Sequence, residues 1–356
     1  MSTVLQIDNK MVGDEHPTYF IADIAANHDG DFERAKELIY LCAESGVDAV
    51  KFQHFEASTI VSDYGFKSLG SQQSHQSQWD KSVFDVYKDV SLNLDWTPIL
   101  KDICNKVNIS FLTSPYSLEL VDAVSQFVSS YKIGSGDITW LEIIEKISMG
   151  GLPILLATGA SSLDEVRNAM KVALTNTKDI VLMQCNTNYT ASIENFKYIN
   201  LNVLKTYREM YPDVVLGLSD HTPGNTTVLG AVALGARVIE KHFTDDIGRY
   251  GPDHKFSMDP GSWREMVHRT RELEESLGLP IKKVEDNEKE TVVLQRRSIR
   301  AKRKLHAGEV INKADIEMLR PCPNGSIKPY KVNDVIGKTI ANDIIGGDCI
   351  HWKDLK

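Results

Sequence analysis

The chain lacks the features that usually mark secreted, membrane-spanning and nucleic-acid-binding proteins. Its five cysteines include no CxxC pair and no dense spacing pattern, which favours a reducing cytoplasm over a disulfide-bonded exterior. The N-terminal segment has neither a basic n-region nor an apolar h-region, and no apolar run is long enough to cross a bilayer. The formal net charge of -9 argues against general binding to nucleic acid or to anionic membranes. We therefore expect a cytoplasmic enzyme that holds any anionic substrate with a local cluster of basic residues.

Two histidines follow two apolar runs that are close together in the sequence. The run starting at Val214 leads to His221, and the run starting at Val238 leads to His242. Each run is typical of a buried strand, and the small-residue stretch 226–236 between them is typical of a helix. Two consecutive parallel strands would bring both imidazoles to the carboxyl edge of one sheet. Because imidazole is a common ligand of divalent metals, the pair predicts a metal site.

Strand-like and helix-like segments alternate through the first 280 residues. Strand patterns begin near residues 19, 48, 109, 130, 153 and 179 and precede the two histidine strands, with helical patterns over 31–44, 118–127, 140–149, 162–174 and 262–277. About eight strand–helix units over this length predict an α/β fold of the (β/α)8 TIM-barrel type. A doubly wound open sheet is the alternative, but no GxGxxG motif follows the first strand.

The character of the sequence changes after Leu279. We expect residues 1–280 to form the barrel domain and the charged stretch 281–290 to be a linker. Residues 291–356 contain short segments with turn signals, which predict a small, mostly β domain. A module of this size is rarely stable alone, so we expect it to pack on the barrel or on a second subunit.

Polar residues at the carboxyl ends of barrel strands are the candidates for chemistry. Lys51 and Lys132 lie inside otherwise apolar strands, where an unpaired lysine is costly to bury. Each lysine could pair with a neighbouring carboxylate, but two lysines with hydroxyl groups nearby favour a bound phosphate or carboxylate. The other polar strand-end residues are Asp23, Asn27, His28, Thr113, Ser114, Ser135, Thr158, the segment Gln184 to Tyr189, Ser219 and Glu240.

Two loop regions add further candidates. A long Ser/Gln-rich stretch follows the second strand, and it is long enough to form a lid that includes residues 62–87. It follows His54 and contains His75, for which a solvated loop position is the simpler interpretation. The segment from Gly251 to His254 is a turn by composition, and its place after the last barrel strand makes Asp253 a candidate site residue.

Seven motifs together resemble the sialic acid synthases, the nonulosonic acid synthases that condense phosphoenolpyruvate with an N-acylated amino sugar. They are ADIAANHDG at 22–30, VKFQ at 50–53, YKIGSG at 131–136, ATG at 157–159, GLSDHT at 217–222, EKHFTD at 240–245 and GPD at 251–253. The stretch LRPCPNG at 319–325 is similar to the antifreeze-like (SAF) domain that ends these enzymes. The resemblance covers nearly the whole chain, and the pair GLSDHT and EKHFTD is its most specific part.

The resemblance implies a role for each matching residue. His221 and His242 would bind Mn²⁺ or Mg²⁺, and Arg320 would reach the N-acyl group in the neighbouring subunit's site, which implies a domain-swapped homodimer. Lysine and serine side chains would hold the phosphate and carboxylate of phosphoenolpyruvate, and Tyr189 and Asp253 would face the sugar. The implied catalytic residues are Asp23, Lys51, Lys132, Glu240 and Asp253, and the implied substrate-binding residues are Asn27, Thr113, Ser114, Ser135, Asp137, Asn186, Asn188, Tyr189, Ser219, Phe256 and Arg320.

Three departures from the family pattern concern the substrate more than the reaction. Asp23 stands where the family usually has Glu, Ala157 where Ser is common, and Thr187 where Asn is usual. The acceptor is therefore open between N-acetylmannosamine and the 2,4-diacetamido-trideoxy hexoses that lead to legionaminic- or pseudaminic-type acids. A 3-deoxy-ulosonate phosphate synthase or a metal-dependent aldolase is the alternative enzyme, and a sugar- or ice-binding protein is the non-catalytic alternative.

Overall fold

A computed structural model describes residues 3–69, 76 and 79–356, and it confirms the predicted barrel. Eight parallel strands form a closed barrel in which each strand pairs with the next in sequence and the last pairs with the first. A short antiparallel hairpin precedes them, formed by β1 (Val4–Ile7) and β2 (Lys10–Gly13). The barrel strands are β3 (Tyr19–Asp23), β4 (Ala49–His54), β5 (Ser110–Pro115), β6 (Tyr131–Ile133), β7 (Ile154–Ala157), β8 (Ile180–Cys185), β9 (Val215–Asp220) and β10 (Ala236–His242).

Helices connect the strands on the outside of the barrel, and their first residues follow recognisable capping signals. The side chains of Asp31, Ser162 and Asp259 each accept a hydrogen bond from a backbone amide in the first turn of the helix that follows. The helices are α1 (Phe32–Glu44), α2 (Ala57–Ile60), α3 (Asp63–Ser68), α4 (Val83–Asp89), α5 (Thr97–Lys106), α6 (Leu118–Val124), α7 (Leu141–Ser148), α8 (Leu163–Asn176), α9 (Val203–Met210), α10 (Thr226–Ala233) and α11 (Pro260–Leu277).

The structure corrects one helix and adds elements that the sequence pattern did not predict. The helix expected over 226–236 ends at Ala233, and Ala236 already begins β10, because Gly235 with φ of +96° ends the turn between them. Helices α5 and α9, the three short helices after β4 and the N-terminal hairpin were not predicted. Leu5, Ile7 and Val12 of that hairpin pack against the first residues of the barrel strands, so the hairpin fills the amino-terminal end of the barrel.

The second compact unit runs from Leu279 to Lys356. It contains α12 (Lys289–Gln295), α13 (Val332–Val335) and an antiparallel pair of short strands, β11 (Ser298–Ala301) and β12 (Ile316–Leu319). Its own apolar cluster is rich in isoleucine and includes Ile299, Ile327 and Ile350. The stretch expected to be a linker therefore contains the start of α12. No helix in the described ranges is long and apolar enough to span a membrane.

Candidate active site

The barrel interior changes from apolar to polar toward the carboxyl ends of its strands. Ile21, Ala49 and Val238 belong to the apolar interior, and alternation along each strand turns the residue two positions later to the same side. That rule places Asp23, Lys51 and Glu240 inside the barrel, and Lys132 and Ser219 lie with them because both contact Glu240. We call these five buried polar side chains the mouth. The mouth therefore collects side chains from β3, β4, β6, β9 and β10 at the end of the barrel that carries chemistry in this fold.

Both lysines of the mouth have a carboxylate partner. Lys51 Nζ lies 2.7 Å from Asp23 Oδ2, and Lys132 Nζ lies 3.2 Å from Glu240 Oε1. The structure thus shows each lysine paired with a neighbouring carboxylate, the alternative to the bound anion that the sequence favours. Burial lowers the pKa of Lys51, but the nearby carboxylates outweigh it and the net shift is upward, so the ammonium group stays charged. Ser219 Oγ donates to Glu240 Oε1 at 3.2 Å.

The two histidines lie side by side above this layer. The ring centroids of His221 and His242 are 5.3 Å apart, and His242 Nε2 is 3.5 Å from Asp23 Oδ2. His221 Nδ1 lies 3.1 Å from the carbonyl oxygen of Asn186. Burial, together with His221 and Lys51, lowers the pKa of His242 well below its usual value, so its imidazole is neutral. The predicted proximity of the two rings is therefore found.

Whether this pair fits a divalent metal depends on its donor atoms. His242 Nδ1 is buried and has no hydrogen-bond partner, and a neutral imidazole nitrogen with a free lone pair is a metal ligand. Within the described ranges no three His, Cys, Asp or Glu side chains converge as a metal cluster. Burial lowers the pKa of His221, but Cys185 and the Asn186 carbonyl outweigh burial and the net shift is upward. The pair therefore fits a metal only if His221 binds it in the neutral form through Nε2, with water or substrate oxygens supplying the other ligands.

Two partly buried carboxyl groups line the cavity above the mouth. Asp253 Oδ2 accepts a hydrogen bond from the backbone amide of Ala26 at 3.1 Å. Burial raises the pKa of Asp253 to about 6, and burial likewise raises the pKa of Asp137 to about 6 although Lys132 opposes the shift. Both groups can therefore change protonation state near neutral pH, as a general acid or base requires.

The cavity itself has a volume of about 360 Å³ and is lined by two kinds of side chain, which we call its polar wall and its apolar wall. Its polar wall includes Gln53, Ser135, Asp137, His242 and Asp253. The apolar wall comes in part from the short helices after β4, and the described lid residues Gln76 and Trp79 also line the cavity. His75 lies outside the described residues. The apolar wall includes Phe55, Ile60, Trp79, Val86, Tyr87, Val90 and Tyr116.

Two aromatic side chains pack against the histidines, and their predicted contact with the sugar stays a prediction. Tyr189 meets His221 edge to face with centroids 4.5 Å apart, and Phe256 meets His242 in the same way at 4.8 Å. Both aromatic residues are therefore at the metal-candidate pair. The motif residue Cys185 also lies here, because its thiol is hydrogen-bonded to His221 and to Ser135. Burial raises its pKa, but these two partners outweigh burial and the net shift is downward.

Four predicted substrate-binding residues have side chains that bond other protein groups. Thr113 is on the outer face of β5, where its hydroxyl bonds His54 Nδ1 at 2.7 Å; the expectation that it faces substrate is wrong, because the polar inward position is Ser114. Asn27 donates to the carbonyl oxygen of Phe243. Asn186 has its side chain directed to the carbonyl oxygen of Tyr198, and Asn188 accepts from Thr190 and Asn195 within its own loop.

The remaining candidates divide between the mouth and the second unit. Ser114 Oγ is buried without a partner on the inner side of β5, and Ser135 Oγ accepts from the Gly159 amide at 2.9 Å. Arg320 is exposed at the end of β12, and its role stays a prediction. Gln53 was missed as a site residue although VKFQ was recognised: its amide nitrogen is 3.4 Å from Asp23 Oδ2. The alternation from Lys51 along β4 is the signal that identifies it.

One of the three family departures lies in tight contact with the site. A β-carbon placed on Gly159 would stand 1.9 Å from Thr187 Oγ1, 2.9 Å from Ser135 Oγ and 3.0 Å from Cys185 Sγ. Thr187 therefore fills the space beside Gly159, next to Ser135 and Cys185.

A closed parallel barrel with paired lysines, carboxylates and imidazoles at its carboxyl end defines a (β/α)8-barrel enzyme. Comparison with known families makes this specific. The NeuB family model matches residues 38–282 and the SAF domain model matches residues 296–356, so the chain belongs to the NeuB family and ends in a SAF domain.

Relatives of this chain are nonulosonic acid synthases. It is 35% identical to N,N'-diacetyllegionaminic acid synthase of Campylobacter jejuni over 90% of this chain and 95% of that protein. It is 33% identical to the Legionella pneumophila enzyme of the same name over 97% and 96% of the two chains. N-acetylneuraminic acid synthetase of Leptospira borgpetersenii superposes with a TM-score of 0.71 at 26% identity, covering 82% of this chain and 96% of that one.

Proposed function

We propose that this protein condenses phosphoenolpyruvate with a 2,4-diacetamido-2,4,6-trideoxy hexose and water, giving a nine-carbon nonulosonic acid and phosphate. The observation that carries the proposal is the mouth, where two buried lysines and two adjacent imidazoles occupy one end of the barrel. A reaction between an anionic enol phosphate and an aldehyde needs both kinds of group at one place. The similarity to two diacetyllegionaminic acid synthases supports the choice of sugar.

The lysines can serve the anionic substrate despite their carboxylate partners. An ammonium group has three N–H donors. The contact with Asp23 uses one donor of Lys51, and the contact with Glu240 uses one donor of Lys132. The remaining donors and the unpartnered Ser114 hydroxyl are available to phosphate and carboxylate oxygens. Asp23 then keeps Lys51 charged, and Asp23 and Glu240 orient the two lysines before substrate binds.

The histidine pair supports a role for Mn²⁺ or Mg²⁺. His221 and His242 would hold the ion, since His242 is neutral and its Nδ1 has no partner. A divalent ion bound there would act as a Lewis acid toward the aldehyde oxygen of the open-chain sugar. Tyr189 and Phe256 pack against the two rings and limit their rotation, which would keep the pair in the arrangement that the ion requires.

The chemistry assigns distinct tasks to the other side chains. The C3 carbon of phosphoenolpyruvate attacks the aldehyde, water adds at C2, and phosphate leaves with cleavage of its bond to C2. Lys51 and Lys132 would balance the substrate's negative charge and fix the direction of C3. Asp253, whose pKa of about 6 lies near neutrality, would hold the proton exchanged with the attacking water or the new hydroxyl group.

The apolar wall of the cavity supports a deoxy sugar over N-acetylmannosamine. A 2,4-diacetamido-2,4,6-trideoxy hexose carries a methyl group at C6 and a second acetamido methyl, whereas N-acetylmannosamine has hydroxyl groups at both positions. Phe55, Ile60, Val86 and Val90 offer no hydrogen-bonding side-chain groups to such hydroxyls. Burying an unpaired hydroxyl costs about 1–3 kcal/mol, so this wall favours the methyl-bearing sugar.

The SAF domain would supply one residue, Arg320, to substrate binding. Arg320 would contact the N-acyl group of the sugar in the site of a second subunit, which requires a homodimer in which the domains are exchanged. The family membership and the matched SAF segment support this part of the proposal.

A panel of acceptors tests the proposed substrate. The chain would be assayed with phosphoenolpyruvate, Mn²⁺ and, in turn, N-acetylmannosamine and the manno and altro forms of the 2,4-diacetamido sugar, following phosphate release. We expect kcat/KM to be highest for a diacetamido sugar by about tenfold or more, corresponding to one unpaired hydroxyl avoided. Equal or higher kcat/KM for N-acetylmannosamine would contradict the assignment. Replacing Val86 with Thr should then shift preference toward N-acetylmannosamine, and Val310→Thr on the second unit is the matched control.

A further inference from the structure

A buried ion pair lies directly behind the two histidines. Asp220 is the last residue of β9 and Lys241 the residue before the end of β10, and the two are register partners. Lys241 Nζ lies 2.5 Å from Asp220 Oδ2, and each side chain is about 1% exposed. Leu218 and Ile239, two positions earlier on the same strands, belong to the layer between barrel and helices. The pair therefore lies outside the barrel wall, while the histidines that follow it lie on the inner side, next to the mouth.

Lys241 holds the chain on both sides of His221. Its ammonium group bonds the carboxylate of Asp220 and also donates to the carbonyl oxygen of Thr222 at 2.5 Å. The Thr222 amide and hydroxyl in turn donate to Asp220, and the Thr227 hydroxyl adds a bond of 2.7 Å to Asp220 Oδ2. Residues 220 and 222 are thus tied to one ammonium group.

The same ammonium group also fixes the position of the His242 backbone. Lys241 and His242 are consecutive, so the backbone that carries the second imidazole is fixed to the group that holds the first. Movement of β9 relative to β10 would have to break the Asp220 and Thr222 contacts together. The Lys241 ammonium group therefore fixes the backbone next to both histidines.

Stability alone does not require this arrangement. Replacing a buried ion pair by well-packed apolar residues is often neutral or stabilising, because desolvation of the charges offsets their attraction. An apolar pair could not, however, bond the carbonyl oxygen of Thr222 or the two threonine hydroxyls. The contacts that distinguish this ion pair from an apolar core are those that orient the loop carrying His221.

We propose that Lys241, with Asp220, is a positioning residue that sets the spacing of His221 and His242 for a divalent cation. The inference rests on the proposed function, since it assumes that the histidine pair binds a metal. Lys241 touches neither substrate nor metal and acts through the two histidines. Supporting groups of this kind typically change metal affinity by about 10- to 100-fold when removed.

The test compares Mn²⁺ affinity with fold stability. Lys241→Met combined with Asp220→Asn removes both charges together, so no buried charge is left unpaired, while the amide can still accept from the threonines. The control is Lys10→Met with Asp48→Asn, which removes an ion pair of 2.7 Å that joins the N-terminal hairpin to the start of β4, at the opposite end of the barrel. A second variant, Thr227→Val, removes one hydrogen bond to Asp220 without any change of charge.

Mn²⁺ dissociation constants would be measured by calorimetry and thermal unfolding followed by circular dichroism. We expect the double variant to fold and to bind Mn²⁺ about 10- to 100-fold more weakly than the unaltered chain. Thr227→Val should bind it about fivefold more weakly, and the control should bind it with unchanged affinity. Unchanged affinity in Thr227→Val and the double variant, whatever their melting temperatures, would overturn the positioning role. Failure of the unaltered chain to bind Mn²⁺ would instead overturn the metal site of the proposed function.

Discussion

The Lys51 ammonium nitrogen lies 2.7 Å from Asp23 Oδ2 in the mouth, with side-chain exposures of 3% and 2%. Asp23 is also 3.5 Å from His242 Nε2, so one carboxylate links the lysine half and the histidine half of the site. Asp23 is one methylene shorter than the Glu that the resemblance leads one to expect, and it still reaches both groups. The substitution therefore preserves the contact between the two halves.

Removing the Asp23 carboxylate should lower the stability of the folded chain. We expect Asp23→Asn to lower the free energy of unfolding by about 3–5 kcal/mol, because the buried Lys51 ammonium loses its charged partner. Phosphoenolpyruvate should raise the melting temperature of this variant more than that of the unaltered chain, since its anionic groups replace the missing charge. Differential scanning calorimetry with and without phosphoenolpyruvate measures both effects. Asp122→Asn, which removes an exposed partner of Lys146, is the control; an equal ligand-induced shift in Asp23→Asn and this control would contradict an anion site at Lys51.

The protonation of Asp253 should make stability depend on pH. Burial raises its pKa from 3.8 to about 6, so between these values the folded chain binds more protons at this group than the unfolded chain. Stability contributed by the group is therefore present below pH 3.8, falls as pH rises toward 6 and stays low above it. We expect Asp253→Asn to raise the free energy of unfolding by about 2 kcal/mol at pH 8 and to change it little at pH 3.5.

The same substitution should lower kcat, because the amide cannot exchange the proton assigned to Asp253. Urea unfolding at the two pH values and steady-state phosphate release measure the two effects. A stability change of equal size at both pH values would contradict a raised pKa, and unchanged kcat would remove Asp253 from proton transfer.

Space above Gly159 should limit substitution there. A β-carbon at this position would stand 1.9 Å from Thr187 Oγ1. We expect Gly159→Ala to cost about 1–3 kcal/mol of stability through overpacking. Adding Thr187→Ala should recover part of that loss but not all of it, because Ser135 Oγ and Cys185 Sγ would still be 2.9 and 3.0 Å from the new carbon. A double-mutant cycle by urea unfolding measures the coupling, and strictly additive effects would show that Thr187 moves away at no cost.

The role of Arg320 across subunits can be tested by mixing two inactive variants. We expect Arg320→Ala and His242→Ala to lose activity separately and to recover about a quarter of wild-type activity after joint refolding, since half of a random mixture is heterodimer and one of its two sites is intact. His242→Ala mixed with an Arg303→Ala chain, altered elsewhere in the second unit, is a positive control because Arg320 is retained in both. No recovery in the first mixture would place Arg320 outside the partner's site.

The barrel could be predicted because strand and helix patterns alternate with clear capping residues such as Asp31 and Ser162. The side of a barrel strand that a residue faces could not. Both faces of these strands are buried, so Thr113 and Ser114 carry no alternation of polarity that tells inside from outside. Both were therefore expected to face the substrate, whereas Thr113 bonds His54 in the outer layer.

Loop side chains were the other limit of prediction. Asn188 follows a strand at the correct end of the barrel, but it accepts hydrogen bonds from Thr190 and Asn195 and serves its own loop. Local bonds of this kind compete with functional ones for an Asn side chain and leave no trace in residue spacing. The proximity of His221 and His242 could be predicted because two consecutive strands position them.

The most direct test of the account is the dependence of phosphate release on each component. The chain would be incubated with phosphoenolpyruvate, a 2,4-diacetamido-2,4,6-trideoxy hexose and Mn²⁺, and with each component left out in turn, while phosphate and the nine-carbon acid are quantified. We predict equal amounts of phosphate and acid when all three are present and neither product when any one is missing. Phosphate release without the sugar, or acid formation that continues with the metal chelated, would contradict the account.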